Sequence, residues 1–140
     1  MKISILLPYK ENFSSEYAGA VSLQLKDTIS LSKYKKNIQI FGSTTFKQNI
    51  LKKNYINLST KKLFFQSTSN IYIKNFLDYE NKKTSNLIEI HNRPNYVKNI
   101  YKVNKNLVLY FHNNPLDIKG SKTISERNNL IKKVKKIILI

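Results

Sequence analysis

Residues 87–94 read Leu-Ile-Glu-Ile-His-Asn-Arg-Pro, and residues 107–115 follow the same order as Leu-Val-Leu-Tyr-Phe-His-Asn-Asn-Pro. In both stretches a short apolar run ends in a His-Asn pair, and a proline follows. The runs are too apolar on both faces for surface hairpin strands, so they predict buried parallel strands. Because the carboxyl ends of parallel strands form the ligand crevice of an open α/β sheet, the doubled motif predicts the floor of an active site.

The rest of the chain alternates between strand and helix patterns. Further strands are predicted over residues 2–7, 37–41, 55–58 and 137–140. Helices are predicted over residues 18–36, 68–79 and 123–133, with another beginning near Pro94, and Thr123-x-x-Glu126 is a capping-box pattern. This alternation predicts an α/β fold with a Rossmann-like doubly wound parallel sheet and right-handed crossovers, formed as one domain over residues 1–140.

The chain ends on a run of four apolar residues, Ile137-Ile138-Leu139-Ile140. Their composition predicts one more buried strand of the kind found in the centre of a parallel sheet. A central strand with no polar segment after it leads us to expect that a further domain should follow.

The composition is strongly basic, with 25 Lys and Arg against 8 Asp and Glu and a net charge of +17. Such an excess can indicate a nucleic-acid binder. Here the excess is spread along the chain and is almost entirely lysine, because Arg93 and Arg127 are the only arginines. We therefore expect nucleic acid not to be the main partner and favour peripheral contact with an anionic membrane, where each lysine contributes on the order of 1 kcal/mol.

Neither a signal peptide nor a membrane span is predicted. The first apolar run stops at Pro8, which is short for a signal peptide, and no run approaches the ~20 apolar residues of a membrane span. Cysteine is absent, which excludes disulfides and thiolate chemistry and fits a reducing compartment. We expect a cytoplasmic protein, able to associate with the inner membrane face.

Two other kinds of site are disfavoured by the residues present. The two His-Asn pairs suggest a metal site, but no cysteine and few carboxylates lie near them, so a zinc ligand set is incomplete and we predict no metal. Glu11 and Glu16 resemble a glycosidase pair, yet both belong to one loop that fixes no separation between them.

Small residues open the first predicted helix, at Ala18-Gly19-Ala20. They would allow backbone amides to approach a phosphate at the positive end of the helix. The full Gly-x-Gly-x-x-Gly pattern is missing, and a small residue required for helix-strand packing explains the glycine equally well.

Taken together, these motifs resemble the N-terminal domain of a family 4 glycosyltransferase of the bacterial lipopolysaccharide or cell-surface polysaccharide type. The resemblance rests on an ordered set that runs over nearly the whole chain: Leu7-Pro8-Tyr9-Lys10-Glu11-Asn12-Phe13, Ala18-Gly19-Ala20-Val21, Phe41-Gly42-Ser43, Ile88-Glu89-Ile90-His91-Asn92-Arg93-Pro94, Phe111-His112-Asn113-Asn114-Pro115, Lys119-Gly120-Ser121-Lys122-Thr123 and Glu126-Arg127.

The resemblance implies a hexosyltransferase of the GT-B architecture, in which two Rossmann-like domains hold the substrates between them. The N-terminal domain takes the acceptor, a glycan or a lipid-linked sugar. The C-terminal domain takes the nucleotide-sugar, which is the donor substrate, and no separate cofactor is implied. This chain resembles only the first domain, so we expect the nucleotide-sugar domain to be absent, and the chain to be inactive without it.

Site residues are implied by the same resemblance. His112 matches the histidine beside the transferred sugar and is the predicted catalytic residue. Gly19 matches the small residue that faces the donor diphosphate, although many relatives have two glycines in that loop. Residues in motifs that face the acceptor are Glu11, His91, Asn92, Arg93 and Asn113.

Several of these residues also have purely structural interpretations. His112 could cap its strand, and His91 with its neighbours could mainly turn the chain into the next helix. Asn113 could brace its loop instead of binding a ligand. For the whole chain, the alternatives are a solitary Rossmann-like module that binds a sugar or nucleotide without catalysis, and a basic nucleic-acid binder.

Overall fold

The structure is a computed structural model that describes residues 1–46, 50–58, 60 and 67–140. The strands are β1 (Ile3–Leu6), β2 (Ile38–Gly42), β3 (Tyr55–Asn57), β4 (Leu87–His91), β5 (Leu107–Phe111) and β6 (Lys136–Leu139). The helices are α1 (Ala20–Leu31), α2 (Thr68–Lys82), α3 (Val97–Ile100) and α4 (Ile124–Ile131), with short 3-10 turns at Lys35–Asn37, Pro94–Tyr96 and Pro115–Asp117.

The six strands of the described residues form one parallel sheet in the order β3-β2-β1-β4-β5-β6. The predicted α/β class and the Rossmann-like doubly wound sheet are therefore confirmed. From β1 the chain crosses to β2 on one side, and from β4 it crosses to β5 on the other. The loops after β1 and β4 consequently diverge and open a crevice at the carboxyl edge of the sheet.

Helices cover both faces of this sheet. On one face α1 packs against β1 and β2, with buried side chains spaced four residues apart as an amphipathic helix requires. On the other face lie α2, α3 and α4. Burial of each large apolar side chain contributes roughly 1.5–3 kcal/mol. The first face buries Val21, Leu25, Ile29, Ile3, Ile5 and Ile40, and the second buries Tyr72, Phe76, Ile100, Leu130, Ile88 and Leu109.

A buried tyrosine of α2 fixes the carboxyl ends of β1 and β2. The Tyr72 hydroxyl reaches the carbonyl oxygens of Leu7, at 2.9 Å, and of Phe41, at 3.1 Å. Burial raises the pKa of Tyr72 well above its usual range, so the hydroxyl remains a neutral donor. The strand ends on one side of the crevice are thereby held in place.

Three sequence predictions differ from the structure in detail. The last strand, β6, was predicted to be buried and central; this is wrong, because β6 is an edge strand whose residues are half-exposed or exposed. The helix expected after Pro94 is a 3-10 turn followed by a single α-helical turn. Helix α1 ends at Leu31, and a 3-10 turn precedes β2.

Within the described residues, none of the helices combines the length and the apolar composition needed to cross a membrane. The predicted capping box at the start of α4 is present, since the Thr123 hydroxyl accepts from the Glu126 amide and the Glu126 carboxylate accepts from the Thr123 amide.

Candidate functional site

Both histidines of the chain meet at the carboxyl edge of the sheet. His91 ends β4, and His112 directly follows β5, which is the neighbouring strand. Nδ1 of His91 lies 2.8 Å from Nε2 of His112, which is a hydrogen-bond distance. The two rings are 5.1 Å apart between centroids and tilted by 28°. A neutral imidazole has one N–H, so one ring donates to the other.

Half-burial and the neighbouring imidazole keep His112 neutral. Burial, followed by the proximity of His91, lowers the pKa of His112 to about 4. At neutral pH the ring is therefore a hydrogen-bond partner and a base, not a cation. Because an unfolded histidine titrates near 6.5, the unfolded chain binds the extra proton first, and this residue lowers stability as the pH falls from about 6.5 to about 4.

His91 is enclosed, with 2% of its surface exposed. Its ring stacks on Tyr110, with centroids 4.5 Å apart and an interplanar angle of 3°. Its second nitrogen, Nε2, lies 3.8 Å from Oε2 of Glu89. Among the described residues this buried nitrogen has no hydrogen-bond partner. A buried polar atom without a partner is rare in folded proteins and is a place where a ligand or a water binds.

Sequence reasoning missed Glu89 and Tyr110 as members of this site. Side chains of a strand alternate between its faces, so Glu89 shares a face with His91. Tyr110 pairs with His91 in the sheet register and shares a face with His112. A carboxylate two residues before a histidine in an otherwise apolar strand was the available signal.

A cavity of about 190 Å³ opens beside His91. It lies between α1 and the sheet, so most of its wall is apolar, and polar groups come from β4, from β5 and from the α1 side, where Gln24, Thr28 and Ser32 line it. Its lining includes Leu25, Ile29, Ile140, Glu89, His91 and Tyr110. His91 is therefore one of the polar residues in the wall of a mostly apolar cavity.

Asn92 joins the two His-Asn units. Its backbone adopts φ 51°, a left-handed conformation that asparagine tolerates better than most residues. Its Oδ1 accepts from the backbone amide of His112 at 2.8 Å, and its Nδ2 donates to Oδ1 of Asn113 at 2.7 Å. The Asn113 side chain therefore braces the loop in this structure. Contact of either asparagine with an acceptor stays a prediction.

Removing the Asn92 side chain is expected to loosen the site. Asn92→Gly accommodates the positive φ but loses both hydrogen bonds, so we expect the free energy of unfolding to fall by about 1–3 kcal/mol. Asn92→Ala should lose roughly 1 kcal/mol more, because alanine is strained in the left-handed region. Urea denaturation followed by circular dichroism measures both changes. Equal stability of the two variants would contradict the role of the backbone conformation.

The predicted phosphate position is occupied by a carboxylate of the protein itself. Oε1 of Glu11 accepts from the backbone amide and from the hydroxyl of Ser22 in the first turn of α1, each at 3.1 Å. A Cβ added to Gly19 would lie 2.0 Å from that oxygen. Gly19 has φ −72°, so it is required for space and not for an unusual backbone conformation. A diphosphate could bind here only if Glu11 moved.

The predicted site residues thus fall into two groups. One group surrounds the histidine pair, where Nη1 of Arg93 donates to the Asn92 carbonyl at 2.8 Å. The other group, Glu11 and Gly19, lies in the loop after β1. Both groups belong to loops at the carboxyl edge, one on each side of the crevice. In the described part of the chain, no cluster of three or more His, Asp or Glu side chains is arranged to hold a metal ion.

Comparisons of the chain with protein-family models, with curated proteins and with solved structures found no match.

Proposed function

We propose that the chain is the acceptor-side domain of a glycosyltransferase that moves a sugar from a nucleotide-sugar to a lipopolysaccharide or another envelope glycan. The observation that carries the proposal is the histidine pair. A neutral His112 lies at the carboxyl edge of a Rossmann-like sheet, half-exposed and held by a buried partner. A neutral imidazole so placed can accept a proton from a sugar hydroxyl or orient that hydroxyl for attack.

The first loop supports an acceptor role over a donor role. Rossmann-like domains that bind dinucleotides place the diphosphate at the helix N-terminus after β1. In this chain the Glu11 carboxylate already occupies that position. The donor would then be held by a second domain, which takes the nucleotide-sugar in the family that the motifs resemble. Arg93 would serve the acceptor, because its planar guanidinium suits a phosphate or carboxylate on a glycan.

The basic charge fits the same proposal. An envelope acceptor is carried on a lipid, and a net charge of +17 draws the protein to an anionic membrane surface. Peripheral association at the inner membrane face would bring the crevice close to such an acceptor.

Ligand binding by the chain tests this assignment. We expect acceptor oligosaccharides to shift the ring signals of His112 in NMR titrations, because the acceptor hydroxyl contacts that ring. UDP-glucose and UDP-N-acetylglucosamine should produce no comparable shift. His112→Ala and Arg93→Ala should weaken oligosaccharide binding, whereas Lys105→Ala, at the opposite edge of the sheet, should not. An unresponsive His112 ring across a panel of envelope oligosaccharides would count against the acceptor role.

A second candidate is a solitary module that binds a sugar or nucleotide without catalysis. The cavity of about 190 Å³ beside His91 favours it, since that cavity is formed entirely within this chain. Tight binding of a free sugar or a nucleotide-sugar by the chain alone would support this candidate.

A further inference from the structure

Three side chains lie in a line through the site, with a hydrogen bond between the two histidines and none between Glu89 and His91. Glu89 and His91 share one face of β4, and His112 follows β5 beside them. Oε2 of Glu89 lies 3.8 Å from Nε2 of His91, and Nδ1 of His91 lies 2.8 Å from Nε2 of His112. The line begins in the cavity beside α1 and ends at the half-exposed ring of His112.

The charge of the Glu89 carboxylate favours one tautomer of each histidine ring. The Glu89 carboxylate is negatively charged and has no proton to donate, so at 3.8 Å its charge favours the Nε2–H form of His91 without a hydrogen bond between them. His91 then has its lone pair on Nδ1, and the 2.8 Å contact requires His112 to donate its Nε2–H. The remaining lone pair of His112 is on Nδ1, and this atom is free to accept a proton.

We propose that Glu89, His91 and His112 form a proton relay, in which Glu89 is a positioning residue that fixes both imidazole tautomers and Nδ1 of His112 is the base. The identity of the hydroxyl it deprotonates rests on the proposed function, whereas the tautomers do not. The glutamate is the part that neither the motifs nor the family resemblance assign.

The relay conserves protons and electrons during glycosyl transfer. Nδ1 of His112 takes the proton of the acceptor hydroxyl, and the Nε2 proton of His112 passes to Nδ1 of His91. The freed electron pair of the acceptor oxygen forms the bond to the anomeric carbon, and the bond from that carbon to the nucleoside diphosphate breaks. The positive charge comes to rest on His91, where the Glu89 carboxylate stabilises it.

The surroundings of the pair are consistent with this direction of transfer. Protonation of His112 itself is disfavoured, because its burial and the adjacent ring lower its pKa to about 4. Tyr110, stacked on His91, remains neutral, because burial and the Glu89 charge raise its pKa to about 12. Glu89 is thus the charged group placed to stabilise an imidazolium at His91.

Ring ¹⁵N NMR of the histidines tests the relay on the full chain without substrate. The chain has two histidines, so two ring patterns are expected. At pH 7 each ring should carry its proton on Nε2, with a lone pair on Nδ1. A His112 ring protonated on Nδ1 would overturn the proposal, and so would a His91 ring that carries a proton on Nδ1 before substrate is added.

Glu89→Gln gives the sharper contrast. The glutamine side chain is uncharged and can either accept from or donate to Nε2 of His91, so the preference of both rings for the Nε2–H form should weaken and the Nδ1–H form should become populated. Glu16→Gln, which removes the same charge from an exposed position, should leave both patterns unchanged. Wild-type patterns in Glu89→Gln, with the backbone amide spectrum showing an intact fold, would eliminate Glu89 as the positioning residue.

The outcome is separable from that of the proposed function. If the tautomers are as expected but no glycan binds, the relay stands and the ligand assignment fails. If glycan binds at His112 while the tautomers differ, the ligand assignment stands and the relay fails.

Discussion

Glu80→Ala is expected to lower the free energy of unfolding by about 3 kcal/mol or more. Glu80 is fully buried near the end of α2. Its carboxylate accepts from the Ser4 hydroxyl at 2.6 Å, and from the Ser85 amide and hydroxyl at 2.9 Å each. Truncation leaves the buried Ser85 amide without its acceptor, leaves the Ser4 and Ser85 hydroxyls only each other at 2.6 Å, and opens a cavity, and these effects destabilise the fold.

Loss of the Glu80 side chain should also affect the histidine site, because Glu80 connects two strands that lead to it. Ser4 lies in β1, and Ser85 comes just before β4. These two strands flank the crevice, and Glu80 ties them together from the opposite edge of the sheet. Destabilisation should therefore be accompanied by broadening of the His91 ring signals.

Two variants calibrate the measurement by urea denaturation. Glu80→Gln retains one acceptor oxygen and the side-chain volume, so it should fall between the wild type and Glu80→Ala. Glu16→Ala removes an exposed carboxylate and should leave the denaturation midpoint unchanged. If Glu80→Ala unfolded at the wild-type midpoint, the buried carboxylate would have no structural role.

The fold was predictable because it depends on periodicity and order. Short apolar runs alternate with helix patterns, and that alternation alone indicates a parallel doubly wound sheet. The meeting of His91 and His112 was predictable in part, since consecutive parallel strands that end in the same motif deliver it to the same edge. The hydrogen bond between the two rings could not be predicted, because it depends on the register between β4 and β5, which the sequence does not state.

The errors and omissions have a common physical cause. An apolar run such as 137–140 has the same composition whether it lies in the centre of a sheet or along an edge, so β6 was misplaced. Glu80 looks like a solvent-exposed acid in the sequence, because its partner Ser4 comes from a distant segment. The filling of the α1 N-terminus by Glu11 likewise depends on how a loop folds back, which no local pattern encodes.

His112→Ala is expected to reduce glycosyl transfer by about 10²- to 10⁴-fold, the range for loss of a general base. The assay requires the chain together with a donor-binding domain, a nucleotide-sugar and a glycan acceptor. The reason is that the variant lacks the Nδ1 lone pair that would accept the proton of the acceptor hydroxyl in the proposed mechanism, while donor binding is untouched. The loss should therefore appear in kcat, with little change in the KM for the nucleotide-sugar.

Matched variants separate this loss from a structural effect. His112→Gln retains hydrogen-bonding capacity but is not a base near neutral pH, so its turnover should fall nearly as far as that of His112→Ala. Lys105→Ala, in the loop before β5 at the opposite edge of the sheet, should keep wild-type turnover.

The pH dependence of turnover gives a second check. Because His112 becomes protonated near pH 4, turnover of the wild-type enzyme should decline toward that pH, and the His112→Gln variant should lack this decline. Wild-type turnover in His112→Ala would show that His112 is not the base in glycosyl transfer.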